Sequence, residues 1–344
     1  MANKTKAPTI NDVAALAGVS KRTVTRVINR SSRVKEATRL EVEKVIKELN
    51  FAPNRQARGL AASRSFLVGL VYDVPTLFIN DIQKGILSIV EDLGYELVVH
   101  ACHYSSERLA ENITRFVNRA HLDGVIVLPP VSDIAGLGEK LEGAGCPFVR
   151  VTSDVSDETS RLVVTDYLSA ISDMTRHLVK FGHQDFGFIS GPNNQLSARK
   201  RYEAFVQALA SHSIELHPDM CVEGDYTYDS GVKAAHKLLS CDRRPTAIFA
   251  ANDEMALGVI KVAHQLGLKV PDDLSLVGFD GTPFSTFVVP SLSTITRRTS
   301  TIARIATEKL LAQIDGERDD AGVIETMVSP RFEPRESTGP APHR

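Results

Sequence analysis

The chain has 344 residues, of which 43% are hydrophobic and 24% are charged, enough for two or three domains with cores of their own. No run of about 18 apolar residues occurs, which excludes a conventional membrane-spanning helix, and the polar first residues are unlike a secretion signal. The four cysteines are isolated in the sequence, which predicts no zinc or redox pair and a cytoplasmic protein with reduced thiols.

The charges are divided unevenly along the chain. Residues 1–64 carry 14 Lys and Arg against 5 Asp and Glu, whereas the remaining 280 residues carry 26 basic and 37 acidic side chains. This asymmetry predicts a nucleic-acid-binding head on an acidic body. A basic face that is simply solvated is the alternative that charge alone leaves open.

The first patterned stretch is "TINDVAALAGVSKRTVTRVIN", residues 9–29. Thr9 is a suitable helix cap, with Asp12 three residues later as the acidic partner of a capping box. Gly18 suits the left-handed position that ends a helix, and Ser20 can cap the next one. Two short helices joined by a tight turn form the pattern of a helix-turn-helix.

The second of these helices is expected to enter the major groove of DNA. Its apolar residues recur on one face, and its basic and hydroxyl residues lie on the opposite face. Lys21 and Arg22 lie near the helix N-terminus and are predicted to reach base edges, while the hydroxyls and Arg26 are predicted to bind phosphate. The predicted DNA contacts of the head are Thr9, Ser20, Lys21, Arg22, Thr23, Thr25, Arg26 and Asn29.

A third helix, "EATRLEVEKVIKELN", is predicted to complete a three-helix head over residues 1–50. Its apolar stripe begins at Leu40 and continues through Val42, Val45, Ile46 and Leu49. An ordinary helical domain with a polar surface is the alternative. The tight turn, the caps and the charge excess together favour DNA binding.

Residues 9–29 resemble, in type and spacing, the head of the LacI/GalR family of bacterial transcription regulators. The resemblance continues through "FAPNRQARGLA", residues 51–61, and through a sugar-binding-protein-like body to about residue 335. It implies a sequence-specific DNA-binding regulator, most often a repressor of carbohydrate-utilisation genes. It also implies a homodimer on a near-palindromic double-stranded DNA operator, controlled by a small carbohydrate effector. Effector-driven release of DNA is the more frequent family behaviour, and these residues are equally compatible with effector-promoted binding.

Residues 51–65 form the predicted hinge helix and linker. Asn54 can cap a helix of about two turns, too short to be stable alone. In the family, paired hinge helices fold in the minor groove and a leucine wedges between base pairs, and the matching residue here is Leu60. Arg55 and Arg58 are expected to face the DNA backbone or groove. A plain charged linker is the alternative.

From Phe66 onward, short apolar runs alternate with amphipathic stretches, which predicts an α/β body of doubly wound parallel sheets. Two such sets, joined near 161–166 and near 291–297, predict two subdomains. The family resemblance implies a periplasmic-binding-protein-like body with a third crossing near 327. The predicted boundaries are 66–162 plus 294–326 for the N-subdomain and 163–293 plus 327–338 for the C-subdomain. A disordered tail is expected at 339–344.

Ligands of such sheets bind beyond the carboxyl ends of the strands. Strand ends supply Asp73, Thr152, Asn252, Asp253 and Asp280, although Asp253 can equally cap a helix. Hydroxyl-bonding groups beside an aromatic ring indicate a neutral, hydroxyl-rich ligand. The resemblance implies effector contacts for Arg199, Tyr226, Asn252 and Asp280, with Asp73 and Phe78 on the other wall. The predicted effector-binding residues are Asp73, Phe78, Thr152, Arg199, Tyr226, Asn252 and Asp280.

Enzyme motifs are not found in the sequence. It has no phosphate-binding glycine loop and no nucleophile elbow, and the "HACH" stretch at 100–103 is unlike a metal site because strand neighbours point to opposite faces. We therefore expect neither catalysis nor a cofactor or metal. The alternatives are a cytoplasmic or secreted solute-binding protein without a regulatory role, and a sugar-acting enzyme that carries a DNA-binding domain.

Overall fold

A computed structural model describes residues 8–28, 34–51, 64–155, 158–241, 243–316 and 324–343. The chain divides into two compact units, residues 1–66 and 67–344, which we call the head and the body. None of the helices within the described ranges is long and apolar enough to cross a bilayer.

Three helices form the head, and the sequence signals at their ends act as predicted. Asp12 Oδ2 accepts hydrogen bonds from the Thr9 amide and hydroxyl, each at 2.7 Å. Gly18 has φ +64°, and Ser20 Oγ accepts from the Thr23 amide at 3.1 Å. The helix-turn-helix prediction is confirmed. The helices are α1 (Ile10–Leu16), α2 (Lys21–Ile28) and α3 (Glu36–Glu48).

The head core is a small apolar cluster shared by the three helices. Its buried members are Val13, Ala14, Val24, Val27, Val42, Val45 and Phe51. Leu40, predicted to begin the stripe of α3, is instead 59% exposed. It precedes Val42 by two residues, about 200° around the helix, so the two side chains cannot share one face.

The N-subdomain of the body is built on a six-stranded sheet of order β11-β5-β4-β3-β1-β2, in which every neighbouring pair is parallel. Its strands are β1 (Leu67–Tyr72), β2 (Glu96–Ala101), β3 (Gly124–Val127), β4 (Phe148–Thr152), β5 (Leu162–Thr165) and β11 (Met327–Val328). The accompanying helices are α4 (Leu77–Val90), α5 (Leu109–Ala120), α6 (Leu137–Gly143) and α12 (Thr299–Asp315).

The C-subdomain repeats this plan with the order β12-β10-β9-β8-β6-β7, and only β12 runs antiparallel to its neighbour. Its strands are β6 (Phe186–Ser190), β7 (Cys221–Glu223), β8 (Ala247–Ala250), β9 (Ser275–Asp280), β10 (Ser293–Thr296) and β12 (Arg331–Glu333). Its helices are α7 (Tyr167–Lys180), α8 (Leu196–Ala210), α9 (Tyr228–Leu239), α10 (Asp253–Gln265) and α11 (Phe284–Phe287). The central strands are buried on both faces, which explains their continuous apolar runs.

The predicted fold class is confirmed, and the crossings between subdomains lie at or within a few residues of the predicted positions, whereas the exact subdomain boundaries differ. Strand β5 and strand β11 belong to the N-subdomain sheet, and β10 belongs to the C-subdomain sheet. The chain therefore crosses near 166, near 297–298 and near 329–330. The predicted boundaries were wrong by a few residues because an apolar strand pattern does not indicate which sheet the strand joins.

Helix α12 fixes the N-subdomain side of these crossings. Lys309 on this helix is fully buried, and its ammonium donates to the Thr159 carbonyl at 2.6 Å, the Leu162 carbonyl at 2.9 Å and the Thr326 hydroxyl at 2.7 Å. Burial lowers the pKa of Lys309 to about 8. One side chain thus connects the segment leading into β5 with the segment leading into β11.

The tail is ordered further than the sequence predicted. The Ala341 amide donates to the Phe181 carbonyl at 2.8 Å, and Gly339 accepts from the buried Ser275 hydroxyl. His183, fully buried, lies within 3.0 Å of the Gly339 carbonyl oxygen. The expectation of disorder was wrong for residues 339–341 because polar hydrogen bonds, not an apolar pattern, hold this segment to the C-subdomain.

Candidate functional site

Helix α2 presents the basic face that the sequence predicted. Lys21 and Arg22 are exposed, while Val24 and Val27 are buried on the opposite side. Thr25 is exposed and its hydroxyl donates to the Lys21 carbonyl at 3.0 Å. The first turn of α2 therefore offers two long, exposed cations at a helix N-terminus, the arrangement that suits a phosphate backbone and base edges.

Several predicted DNA contacts are already engaged within the head. The Thr9 hydroxyl donates to Asp12, and the Ser20 and Thr23 hydroxyls lie 2.9 Å apart. These groups fix the start of each helix, as capping residues do. The remaining predicted DNA contacts Asn29, Asn54, Arg55, Arg58 and Leu60 lie outside the described residues.

A cleft of about 320 Å³ lies between the two subdomains of the body. The N-subdomain wall consists of the segment from the end of β1 into α4 and the turn after β3. The C-subdomain wall consists of the start of α8 and the segments that follow β7, β8, β9 and β10. The polar and aromatic lining residues are Asp73, Thr76, Phe78, Gln195, Ser197, Arg201, Asp225, Tyr226, Thr227, Asn252, Glu254, Asp280, Thr282 and Arg297.

Five of the seven residues predicted to bind effector line this cleft together: Asp73, Phe78, Tyr226, Asn252 and Asp280. They arrive from different strand ends, as the rule for doubly wound sheets requires. Their position at one cavity is a structural fact, and their effector contacts stay a prediction.

Arg199 and Thr152 are not part of this cleft. Arg199 is exposed, and its guanidinium donates to the Asn193 carbonyl at 3.1 Å. Thr152 donates to Asp133 at 2.7 Å and lines a neighbouring depression. The structure thus places neither residue at this cleft, and their effector contacts stay a prediction. Arg199 lies on the exposed face of α8, two residues before Arg201, which faces inward.

Arg201 is the residue on α8 that reaches the cleft. It is 3% exposed, and its guanidinium carbon lies 3.8 Å from the centre of the Phe279 ring. One of its terminal nitrogens donates to the Ala251 carbonyl. Ser197, one helical turn earlier, also lines the cleft, so the four-residue spacing in "SARKR" was the signal that could have found it.

Arg297 is the second arginine that sequence reasoning missed. It follows β10 directly and is 7% exposed, with its guanidinium carbon 3.6 Å above the centre of the Phe78 ring. Phe78 belongs to the N-subdomain, so this cation–π contact joins the two walls. The strand-end rule that found Asp280 would have found Arg297 if β10 had been recognised as a strand.

Asp280 pairs with Arg297 and also interacts electrostatically with Arg201. Its φ of +111° is unusual for a non-glycine residue, and Arg297 approaches one carboxylate oxygen to 3.6 Å. Burial raises the pKa of Asp280, and the charges of Arg297 and Arg201 oppose that rise. The local backbone thus holds one carboxylate against two cations inside the cleft.

Asp253 is a buried carboxylate that fixes the loops next to Asp280. It is fully buried and accepts hydrogen bonds from the Thr282 amide at 2.7 Å, the Thr282 hydroxyl at 2.9 Å and the Thr294 hydroxyl at 2.6 Å. Burial and then the charge of Asp280 raise the pKa of Asp253 to about 7, against the lowering effect of these hydrogen bonds. Its polar contacts are structural, since they fix the loops after β9 and β10.

Asn252 and Tyr226 shape the far end of the cleft. Asn252 caps α10 by accepting from the Met255 amide at 2.9 Å and donates to the Tyr226 carbonyl at 2.7 Å. Tyr226 has φ +68°, and its ring lies so close to Gly191 that an added Cβ there would come within 2.1 Å of it. Glycine at 191 is therefore required for this position of the ring.

A hydrogen bond also crosses between the subdomains near the cleft. The Tyr104 hydroxyl donates to the Asn194 carbonyl at 3.2 Å, and the Tyr104 amide donates to Asp73 at 3.0 Å. The bond from Tyr104 to Asn194 and the contact of Arg297 with Phe78 join the two walls, whereas the bond to Asp73 fixes Tyr104 within the N-subdomain.

Two family models match the chain, and one relative matches almost all of it. The model of the bacterial regulatory proteins of the lacI family matches residues 9–54, and that of the periplasmic binding protein-like domain matches residues 175–338. Catabolite control protein A of Priestia megaterium is 34% identical over 332 residues, or 96% of this chain and 99% of that relative. The chain belongs to the LacI family.

Solved structures of LacI-family regulators have the same architecture. The Lac repressor dimer bound to operator and the anti-inducer ONPF matches with a TM-score of 0.79 and 30% identity, over 97% of this chain and 100% of that chain. The complex of the transcriptional regulator CelR with cellobiose matches with a TM-score of 0.69 and 28% identity, over 96% and 99%.

Membership in the LacI family gives the head its function. The protein is a DNA-binding transcriptional regulator with a helix-turn-helix head and a periplasmic-binding-protein-like body. The family match over residues 9–54 favours this reading over a solute-binding protein without a regulatory role, and its relatives are transcriptional regulators and repressors, not enzymes.

Proposed function

We propose that this LacI-family protein represses carbohydrate-utilisation genes and releases its operator when a small sugar-like effector binds in the body cleft. The observation that carries the proposal is the composition of the cleft. An aromatic ring from one subdomain faces carboxylates, an amide and guanidinium groups from the other, around a volume suited to a small ligand. The matched complex of CelR with cellobiose supports a sugar as the ligand class.

On the DNA side, Lys21 and Arg22 read base edges at the start of α2. Arg26 and the hydroxyls of Thr9, Ser20, Thr23 and Thr25 position the helix against phosphates, and Asn29 extends the contact. In the hinge, Asn54, Arg55, Arg58 and Leu60 contact the minor groove, with Leu60 as the wedge. Two chains pair through their bodies, so that two heads bind the halves of a near-palindromic operator. The matched Lac repressor dimer on its operator supports this arrangement.

Effector binding changes the relative orientation of the two body subdomains. A ligand that touches both walls favours the arrangement in which both walls can reach it, and the three crossing segments transmit the change. In the dimer, this alters the spacing of the two hinge segments and weakens their binding to the operator. The coupling is reciprocal, so operator DNA weakens effector binding by the same factor.

A titration of the full-length protein with a panel of monosaccharides and disaccharides tests the proposal. A matching sugar raises the thermal unfolding temperature by several degrees through binding linkage. The same sugar then lowers operator affinity in a gel-shift assay with fixed salt concentration. If sugars stabilise the protein and leave operator affinity unchanged, the regulatory part of the proposal is wrong.

A further inference from the structure

The interior of the cleft contains two arginine side chains that are almost completely removed from solvent. Arg201 is 3% exposed and Arg297 is 7% exposed, and both line the cavity. A guanidinium group stays charged at every pH that a protein tolerates. Buried charges are stable only when they are paired, so their partners decide what the cleft can bind.

Among the described residues, Asp280 is the cleft carboxylate that lies 3.6 Å from Arg297 and also interacts electrostatically with Arg201. Asp253 is near, but both its oxygens are used by Thr282 and Thr294, and it does not line the cleft. The innermost group of charges thus consists of two permanent cations and one carboxylate.

The other cleft carboxylates belong to its rim. Asp225 is exposed and accepts from the Thr227 amide and hydroxyl, and Asp73, partly exposed, accepts from the Tyr104 amide. Glu254 is partly exposed at the first turn of α10. These groups are available for ligand hydroxyls at the mouth of the cavity.

Each of the two arginines also has a buried hydrogen-bond donor that lacks an acceptor in the part of the chain that the structure describes. The Nε–H groups of Arg201 and Arg297 are buried and have no hydrogen-bond partner among the described residues. The Arg297 guanidinium carbon lies 3.6 Å from the centre of the Phe78 ring, and one of its terminal nitrogens approaches Asp280 to 3.6 Å, whereas its Nε–H has no acceptor within the described ranges. A buried donor without an acceptor costs free energy, and an anion with several oxygens supplies what these donors need.

We propose that the effector of this protein is an acidic sugar derivative, whose anionic group pairs with Arg297 and Arg201 while its hydroxyls bond to Asp280 and to the carboxylates of the rim. The inference rests on the proposed function of the cleft and specifies its ligand class. It replaces the neutral ligand expected from the sequence, because that expectation counted Arg199, which lies outside, and missed both buried arginines. A carboxylate and a phosphate share the required chemistry.

Isothermal titration of the full-length protein with matched sugars tests the inference. The probes are glucose, galactose, glucuronate, galacturonate, gluconate and glucose 6-phosphate. One acid binds about 10- to 100-fold more tightly than its neutral parent, the factor expected for a hydrogen bond to a charged group. Tighter binding of an uronate or of gluconate identifies a carboxylate, and tighter binding of glucose 6-phosphate identifies a phosphate.

Three variants assign the effect to the cleft. Arg297→Gln removes one of the two cations and lowers the preference for the acid over its parent by about tenfold, because only Arg201 remains to pair with the anion. Arg297→Lys keeps the charge and loses the planar fork, so it retains a preference intermediate between the two. Arg199→Gln, on the exposed face of α8, binds as the unmodified protein does.

The outcomes separate this inference from the function on which it rests. If a neutral parent binds as tightly as its acid, or more tightly, the acidic ligand is wrong and sugar sensing stands. If the acid preference is undiminished in Arg297→Gln, the assigned residues are wrong. If neither the neutral sugars nor the acids bind or raise the unfolding temperature, both the inference and the proposed sensing function of the cleft are wrong.

Discussion

In the head, six of the residues expected to touch DNA lie within α2 and its cap Ser20, whereas the cleft joins side chains as far apart in the chain as Phe78 and Arg297. The head surface follows from helical periodicity, because a residue's face is fixed by its distance from buried Val24 and Val27. The cleft depends on which strand joins which sheet. A local pattern therefore identifies a surface on a helix more exactly than it identifies a cavity between two subdomains.

The largest expected effect concerns the inward face of α8. Arg201→Gln removes a buried guanidinium that bonds to Ala251, and we expect effector affinity to fall by about 2–5 kcal/mol. Arg199→Gln is the matched control and keeps the full effector response. Dose–response curves of operator release measure both. An intact response in Arg201→Gln, or a lost one in Arg199→Gln, would restore the assignment made from sequence.

The next prediction tests whether the core of the head can be destabilised without changing ligand binding by the body. Val24→Ala removes two buried methyl groups, and we expect the head to lose about 2–3 kcal/mol of stability while ligand binding by the body is unchanged. Hydrogen exchange of the α1–α3 amides measures the loss. Leu40→Ala, at an exposed position, changes exchange by less than about 0.5 kcal/mol. Equal effects of the two variants would show that the core is assigned incorrectly.

A smaller effect tests the reading face of α2. Arg22→Ala relaxes the preference for one operator base pair and costs about 1–3 kcal/mol on the matching operator, because a base contact is lost. Lys44→Ala, an exposed cation on α3, leaves base preference unchanged. Binding to a set of single-base operator variants measures both. An unaltered preference in Arg22→Ala would mean that this side chain contacts only the backbone.

The last prediction concerns pH. The pKa of Asp253 is raised to about 7 in the folded body, so the folded state holds a proton that the unfolded chain has released, and stability falls as pH rises from about 4 to about 7. Asp253→Asn lacks this dependence. The unfolding free energies of the two proteins therefore diverge by at most about 1.4 kcal/mol per pH unit in that window. Parallel pH profiles, measured by urea denaturation, would contradict the raised pKa.

The sequence by itself determined the head almost completely. Thr9 and Ser20 begin helices, Gly18 ends one, and the basic face of α2 is opposite its apolar face, all because these features depend on neighbours within about one helical turn. It also determined the α/β class of the body and the strand ends that supply Asp73 and Asp280. Strand length, apolar runs and the residue types at strand ends can also be predicted, because they depend only on residues that are neighbours in the sequence.

Only the tertiary structure decided the rest. The sheet that each of strands β5, β10 and β11 joins is set by its pairing partners, so the exact subdomain boundaries required the actual pairing. Helix α8 carries Arg199 and Arg201 two residues apart, and the packing of its inner face on the Phe279 side selects Arg201 for the cleft. Arg297 reaches Phe78 because it lies at the second crossing between the subdomains, near 297–298. Burial and pairing of charge are properties of the assembled body, and no local window of sequence contains them.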